Sequence, residues 1–263
     1  MSEAGGLSRL GGYPLPVLAS EGLEQRARPM ADRVVRAREL FTELLGVEPS
    51  GGLLVLAERD WDDHSGHPAY GMPNYEGGNI VVAGEPSSFW RGFARALDEG
   101  GVDREALVAA YGPELDLSPF FDLLAVHELA HLYHAAVPFR FPTPWLMELF
   151  VNLALHTYIA EREPESLPQL ETFPREFAAL GSAAFAHTSV DDFNRLYVDV
   201  GPENYGWYQV HLHVGAKRIY EAAGAAALRR MWDAFAIDSA QLADRLANEV
   251  DPDAARLLRD WPS

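Results

Sequence analysis

The chain has 263 residues, 48% apolar and 23% charged, enough to bury a full hydrophobic core in one or two domains. Its 21 basic residues face 39 acidic ones, and the resulting charge of −18 repels phosphate backbones and anionic headgroups, so neither nucleic acid nor an acidic membrane is an expected partner. The absence of cysteine rules out disulfides, thiolate zinc sites and a cysteine nucleophile, and leaves His, Asp and Glu as the metal ligands available. The opening residues carry Glu3 and lack the basic start and continuous apolar run of a secretory signal. No window approaches the roughly 18 uninterrupted apolar residues of a membrane span, so a cytoplasmic protein is expected.

Residues 1–20 hold four glycines and two prolines and read as a loosely ordered arm. Helical spacing of Met30, Val34, Leu40, Phe41 and Leu44 predicts a helix over 21–47, kinked at Pro29. Apolar and β-branched runs predict strands at 53–57 and 79–83, flanking a long polar loop, followed by short helices at 87–97 and 103–111. From residue 118 onward the pattern is helical. Ser118-Pro119 and Thr143-Pro144 each place a capping hydroxyl before a first-turn proline. Further helices are expected at 174–187, 191–199, 203–223, 225–235 and 239–250.

The first of the two signposted helices contains His127-Glu128-Leu129-Ala130-His131, an H-E-x-x-H pattern. Residues four apart share a helix face about one turn apart, so both imidazoles can grip one cation. Zinc suits such a pair, because it binds neutral imidazole and accepts a tetrahedral site with one position left for water. Glu128 points in a different direction from the two histidines and can face that water as general base.

A third ligand is available on the next helix, whose start reads Trp145-Leu146-Met147-Glu148-Leu149-Phe150-Val151-Asn152. Glu148 follows His131 by 17 residues, enough for a turn and an antiparallel return. The surrounding positions are nearly all apolar, and an ionised glutamate in a buried helix is costly unless paired or metal-bound. Asn152, one turn on, is expected to orient a ligand imidazole through its other ring nitrogen.

His127-Glu128-x-x-His131 followed by Glu148-x-x-x-Asn152 resembles the gluzincin metallopeptidases, the group that contains thermolysin and aminopeptidase N. Trp145-Leu146-Met147-Glu148 is similar to the W-L-N-E segment of the aminopeptidase N family. The resemblance implies His127, His131 and Glu148 as zinc ligands, Glu128 as general base, and hydrolysis of peptide bonds in a peptide or protein substrate. It also implies an oxyanion-stabilising tyrosine at the start of a later helix. Tyr208 or Tyr205 fills that place, with the spacing to Gly224 favouring Tyr208. Gly71-Met72-Pro73-Asn74-Tyr75 is similar to the family's G-A-M-E-N-W segment, with Pro73 where the glutamate that holds a free amine would stand. A peptide is expected to add as a strand along Asn79, Ile80 and Val81. The metzincin extension is not met, because His134 and Val137 occupy its glycine and third-histidine positions.

His134, His156, His211 and His213 read as ordinary surface or core histidines, and Asp60, Asp62, Asp63, His64 and His67 as a solvated polar loop. The expected fold is α+β and predominantly helical: a zincin-like catalytic domain with a small antiparallel sheet. Its divisions are an arm at 1–20, an N-terminal lobe at 21–142 with the sheet and motif helix, and a helical lobe at 143–263 with the third ligand. The alternative function is an inactive, peptidase-like binding or regulatory protein that keeps a structural zinc.

Overall fold

The structure is a computed structural model that describes residues 6–137, 141–234 and 242–262. In chain order its elements are β1 (Leu7–Leu10), β2 (Val17–Ser20), α1 (Glu24–Leu45), β3 (Gly52–Leu56), α2 (Glu58–His64), β4 (Asn74–Glu76), β5 (Asn79–Ala83), α3 (Ser88–Glu99), α4 (Arg104–Tyr111) and α5 (Ser118–Ala135). Then come α6 (Pro144–Arg162), α7 (Leu167–Ala179), α8 (Val190–Leu196), α9 (Pro202–Ala223), α10 (Ala226–Ala234), α11 (Leu242–Arg245) and α12 (Pro252–Arg259). The chain divides into two compact units: Met1–Ala96 with Leu115–Ala136, and Leu97–Glu114 with Val137–Ser263. Helix α4 falls in the second of these units, with the later helices.

The first unit carries a five-stranded sheet in the order β1-β2-β3-β5-β4. It is mixed, not antiparallel as expected. The central strands β2, β3 and β5 run parallel, and antiparallel hairpins close both edges. Parallel pairing follows from the connections, since α1 lies between β2 and β3, and α2 and β4 lie between β3 and β5. The inner strands are buried along Gly52–Leu56 and Ile80–Ala83, as their continuous apolar runs require. Gly77 and Gly78 both have positive φ (56° and 83°) and make the two-residue turn from β4 to β5.

Within the expected N-terminal arm, residues 7–20 form the hairpin β1–β2, with Leu7, Leu10, Leu15, Val17 and Ala19 buried, and residues 1–5 lie outside the described residues. The hairpin's glycines and prolines mark the turn between two short strands.

Helix α5 is clamped to α1 near both of its ends. Arg26 donates to both carboxylate oxygens of Asp122 at 2.5 and 2.7 Å. Eleven residues on, the Tyr133 hydroxyl lies 2.9 Å from Thr42 Oγ1 and donates to the Arg38 carbonyl at 2.8 Å. Burial is the larger influence on Asp122 and raises its pKa in spite of Arg26. Between these clamps lie His127, Glu128 and His131.

In the second unit α6 packs against α7, α8, α9 and α10. Nearly every residue from Trp145 to Ile159 is buried, the pattern of a helix enclosed on all sides. Its first turn is well satisfied. Thr143 Oγ1 accepts from Leu146 N, as the capping signal predicted, and Asn194 Oδ1 accepts from Trp145 N. At α5 the predicted cap is different: Leu117 is the N-cap residue, and the Ser118 hydroxyl donates to Asp116.

The helix expected at 174–187 begins earlier, as α7, with Pro168 in its first turn and Pro174 inside it. A 3-10 turn, Tyr197–Val200, follows α8, and a π turn, Leu246–Val250, follows α11. The expected helix ends at Phe235 and at residues 239–241 lie outside the described residues. Helix α12 carries no expectation from the sequence. No helix of the described residues is long and apolar enough to cross a membrane.

Gly71 has φ 95°, and a Cβ there would meet the Ser87 hydroxyl at 2.2 Å and Trp90 Nε1 at 2.8 Å. The Trp90 indole donates to the Gly71 carbonyl at 2.6 Å and stacks on Phe121 of α5, with centroids 4.8 Å apart. Gly71→Ala combines backbone strain with overpacking and is expected to cost on the order of 2–4 kcal/mol, read as a lower denaturant midpoint.

Candidate metal centre

His127 and His131 lie one turn apart on α5, with ring centroids 5.2 Å apart. Both are buried, as are Glu128 and Glu148. His127, His131 and Glu148 each offer one ligand atom, and these atoms all lie within 4.8 Å of one another. Among the described residues they are the one such group of three. Two imidazoles and a carboxylate match the donor set of a zinc site, in which ligand atoms around one ion stand about 3.4 Å apart. The group can hold a metal ion with small side-chain adjustments.

Glu128 is adjacent to His127 in sequence, yet its Oε1 lies 3.9 Å from His127 Nε2. A carboxylate that is not part of the three-residue group therefore stands beside it. His134, read from sequence as an ordinary histidine, places its Nε2 3.1 Å from His131 Nδ1. A proton shared between those two nitrogens leaves the other nitrogen of His131 to act as a ligand.

Glu148 is fully buried, and both its oxygens accept hydrogen bonds within its own unit. The Tyr197 hydroxyl donates to Oε1 at 2.5 Å, and Gln209 Nε2 donates to Oε2 at 2.8 Å. Asn152 Nδ2 donates to Gln209 Oε1 at 2.9 Å and to the Glu148 carbonyl at 2.8 Å. Asn152 thus acts on the carboxylate through Gln209, not on an imidazole as expected. The amide logic explains why an amide occupies this position. With its NH2 on the Gln209 carbonyl, Asn152 forces the Gln209 NH2 toward Glu148. An aspartate would accept from Gln209 and turn the amide's carbonyl against the carboxylate.

The tyrosines fall differently from the sequence reading. Tyr208 is buried, and its hydroxyl donates to the Ser189 carbonyl at 2.9 Å, whereas the hydroxyl on Glu148 comes from another tyrosine. Burial pushes the pKa of Tyr208 up to about 12. Tyr205 packs near the rings of Phe193 and Tyr197. The tyrosine hydroxyl on the ligand carboxylate belongs to Tyr197, 49 residues after Glu148, and no local pattern marked it. Gln209 was also missed, although it follows Tyr208 directly.

The strand expected to receive a peptide is β5, and both of its edges are occupied. Asn79, Ile80 and Val81 pair with Gly52, Leu53 and Leu54 on one side and with Glu76, Tyr75 and Asn74 on the other. Strand addition along β5 is excluded for that reason.

None of the remaining histidines among the described residues belongs to the group of three. His156 and His213 line a cavity of about 280 Å³ with Glu171, Arg175, Lys217 and Arg218. His211 Nδ1 lies 3.1 Å from the Pro262 carbonyl. Asp60, Asp62, Asp63 and His64 lie on the short helix α2, and His67 follows it.

No protein-family model matches the chain, and no curated protein matches it.

Two predictions follow from these contacts. Asn152→Asp should reverse the Gln209 amide and set two carboxylates on one network, lowering stability by on the order of 3–5 kcal/mol in equilibrium unfolding. Burial, reinforced for His156 by Lys217, depresses both His156 and His211 from 6.5 to about 4. The unfolded chain therefore binds protons that the folded chain refuses between those values, so stability falls as pH drops through this window. Replacing His156 with Gln should flatten the stability slope of the metal-free protein from pH 6.5 to 4 by up to one proton.

Proposed function

We propose that the chain is a zinc-dependent metallopeptidase that hydrolyses peptide bonds in peptide or protein substrates. The observation that carries this reading is the convergence of His127, His131 and Glu148 ligand atoms within 4.8 Å, with the Glu128 carboxylate 3.9 Å from His127. When bound, zinc supplies a Lewis-acid centre that polarises a carbonyl and lowers the pKa of water toward ~7.

The chain's own residues do the rest. His127, His131 and Glu148 hold the ion, and His134 orients the ring of His131. Glu128 takes a proton from the attacking water and delivers it to the departing amine, so that one carboxylate serves as base and then as acid. Its burial keeps bulk water from competing for that proton. The −18 charge of the chain makes cationic or neutral peptides better matched to its surface than acidic ones.

Glu128→Gln is nearly isosteric and leaves all three ligands in place. It should retain zinc by elemental analysis while lowering hydrolysis of a fluorogenic peptide library by at least ~100-fold. His131→Ala and Glu148→Ala should lose the metal as well as the activity. A Glu128→Gln protein as active as the parent would remove the general-base assignment. A metal-loaded parent that cleaves no peptide would favour a structural zinc in a binding protein.

A further inference from the structure

Tyr197 stands out in three ways. Its hydroxyl makes a 2.5 Å hydrogen bond to Glu148 Oε1. Its backbone adopts φ 50° and ψ −113°, a combination that residues with a Cβ avoid, and Leu115 is the one other non-glycine with positive φ among the described residues. Its ring is wedged edge-on against Phe193 and Tyr205, at centroid distances of 5.7 and 6.1 Å. The chain leaves α8 through this strained residue and turns at once into the 3-10 segment. A relaxed backbone there would aim the side chain elsewhere.

We propose that Tyr197 is a positioning residue that presents the Glu148 carboxylate to the metal ion, and that the strained backbone at the end of α8 is retained for this purpose. The proposal rests on the metal-site reading above.

The chemistry of the donor supports it. Each carboxylate oxygen has two lone-pair directions, so a hydrogen bond and a metal bond can share one oxygen. Tyr197 on Oε1 and Gln209 on Oε2 together fix the plane of the carboxylate. Both donors are neutral, so they orient the group without supplying the positive charge that the ion brings. An arginine or lysine in the same place would compete with the metal. The alternative role, plain packing of an aromatic cluster, needs neither the hydroxyl nor the strained backbone.

The test compares zinc affinities of full-length, metal-free proteins by competition with a chromogenic chelator. Tyr197→Phe keeps the ring and removes the hydroxyl, and should weaken zinc binding by ~10–100-fold. Tyr197→Gly relaxes the backbone, which offsets part of its lost packing, and should show at least the same loss. Tyr111→Phe is the control, because Tyr111 is a buried tyrosine of the same unit whose hydroxyl bridges the Gln169 carbonyl and the Phe173 amide. It should melt at a lower temperature yet bind zinc as the parent does.

The visible spectrum of the cobalt-substituted protein gives a second readout, expected to change in Tyr197→Phe and not in Tyr111→Phe. A parent that binds no zinc overturns the metal-site reading itself. A parent that binds zinc, with Tyr197→Phe within twofold of it, overturns the role of Tyr197 alone. Equal losses in Tyr197→Phe and Tyr111→Phe would do the same, by tracing the effect to general loosening.

Discussion

A carboxylate with no access to solvent is the constraint around which the candidate site is organised. Glu148 lies on a helix whose neighbouring side chains, Trp145, Leu149, Phe150, Val151 and Asn152, are all buried. Water cannot solvate the charge there, so the protein must supply partners or the fold bears a penalty of several kcal/mol. Tyr197 and Gln209 each supply a hydrogen bond, and Asn152 fixes which way Gln209 faces. These donors come from α6, from the 3-10 turn after α8, and from α9, so one ionised group constrains three separate stretches of chain. Both of these donors are neutral, so neither brings a charge of its own beside the carboxylate.

The two histidines of the candidate group depend on a different device. α5 presents its histidines at the spacing of one helical turn, and their direction is set by how the helix is docked. The Arg26–Asp122 pair and the Tyr133 hydroxyl bracket the motif on either side and tie α5 to α1. Phe121 adds a stacked contact with Trp90, whose indole is anchored on the carbonyl of Gly71. A glycine far upstream thereby takes part in setting the motif helix, because only a residue without a Cβ leaves room for Ser87 and Trp90 at that point.

Much of this was legible in the chain, where the signal is local. The Thr143-Pro144 cap and the nearly continuous apolar run after it located α6, and the β-branched run at 79–83 located β5 with the same limits that the structure shows. The helix spacing of His127 and His131, with Glu148 marked by an otherwise apolar run, selected the three residues whose ligand atoms converge. What was not legible depends on tertiary pairing. Leu7–Leu10 and Val17–Ser20 are too short and too rich in flanking Gly and Pro to read as strands until they pair with each other and with β3. The parallel core of the sheet reflects the intervening helices, which a list of strands does not reveal. Tyr208 looked like the functional tyrosine by position on its helix, but its hydroxyl meets the Ser189 carbonyl, whereas Tyr197 reaches Glu148 by means of a backbone conformation that no residue pattern announces.

The proposed metal centre would set three side chains, from α5 and α6, around a single divalent ion. Anomalous diffraction at the zinc absorption edge, from crystals of the full chain grown with equimolar zinc, tests it most directly. The account predicts one strong peak about 2.1 Å from a nitrogen of His127, a nitrogen of His131 and an oxygen of Glu148. A peak on surface carboxylates alone, with these three side chains contacting only protein, would contradict it.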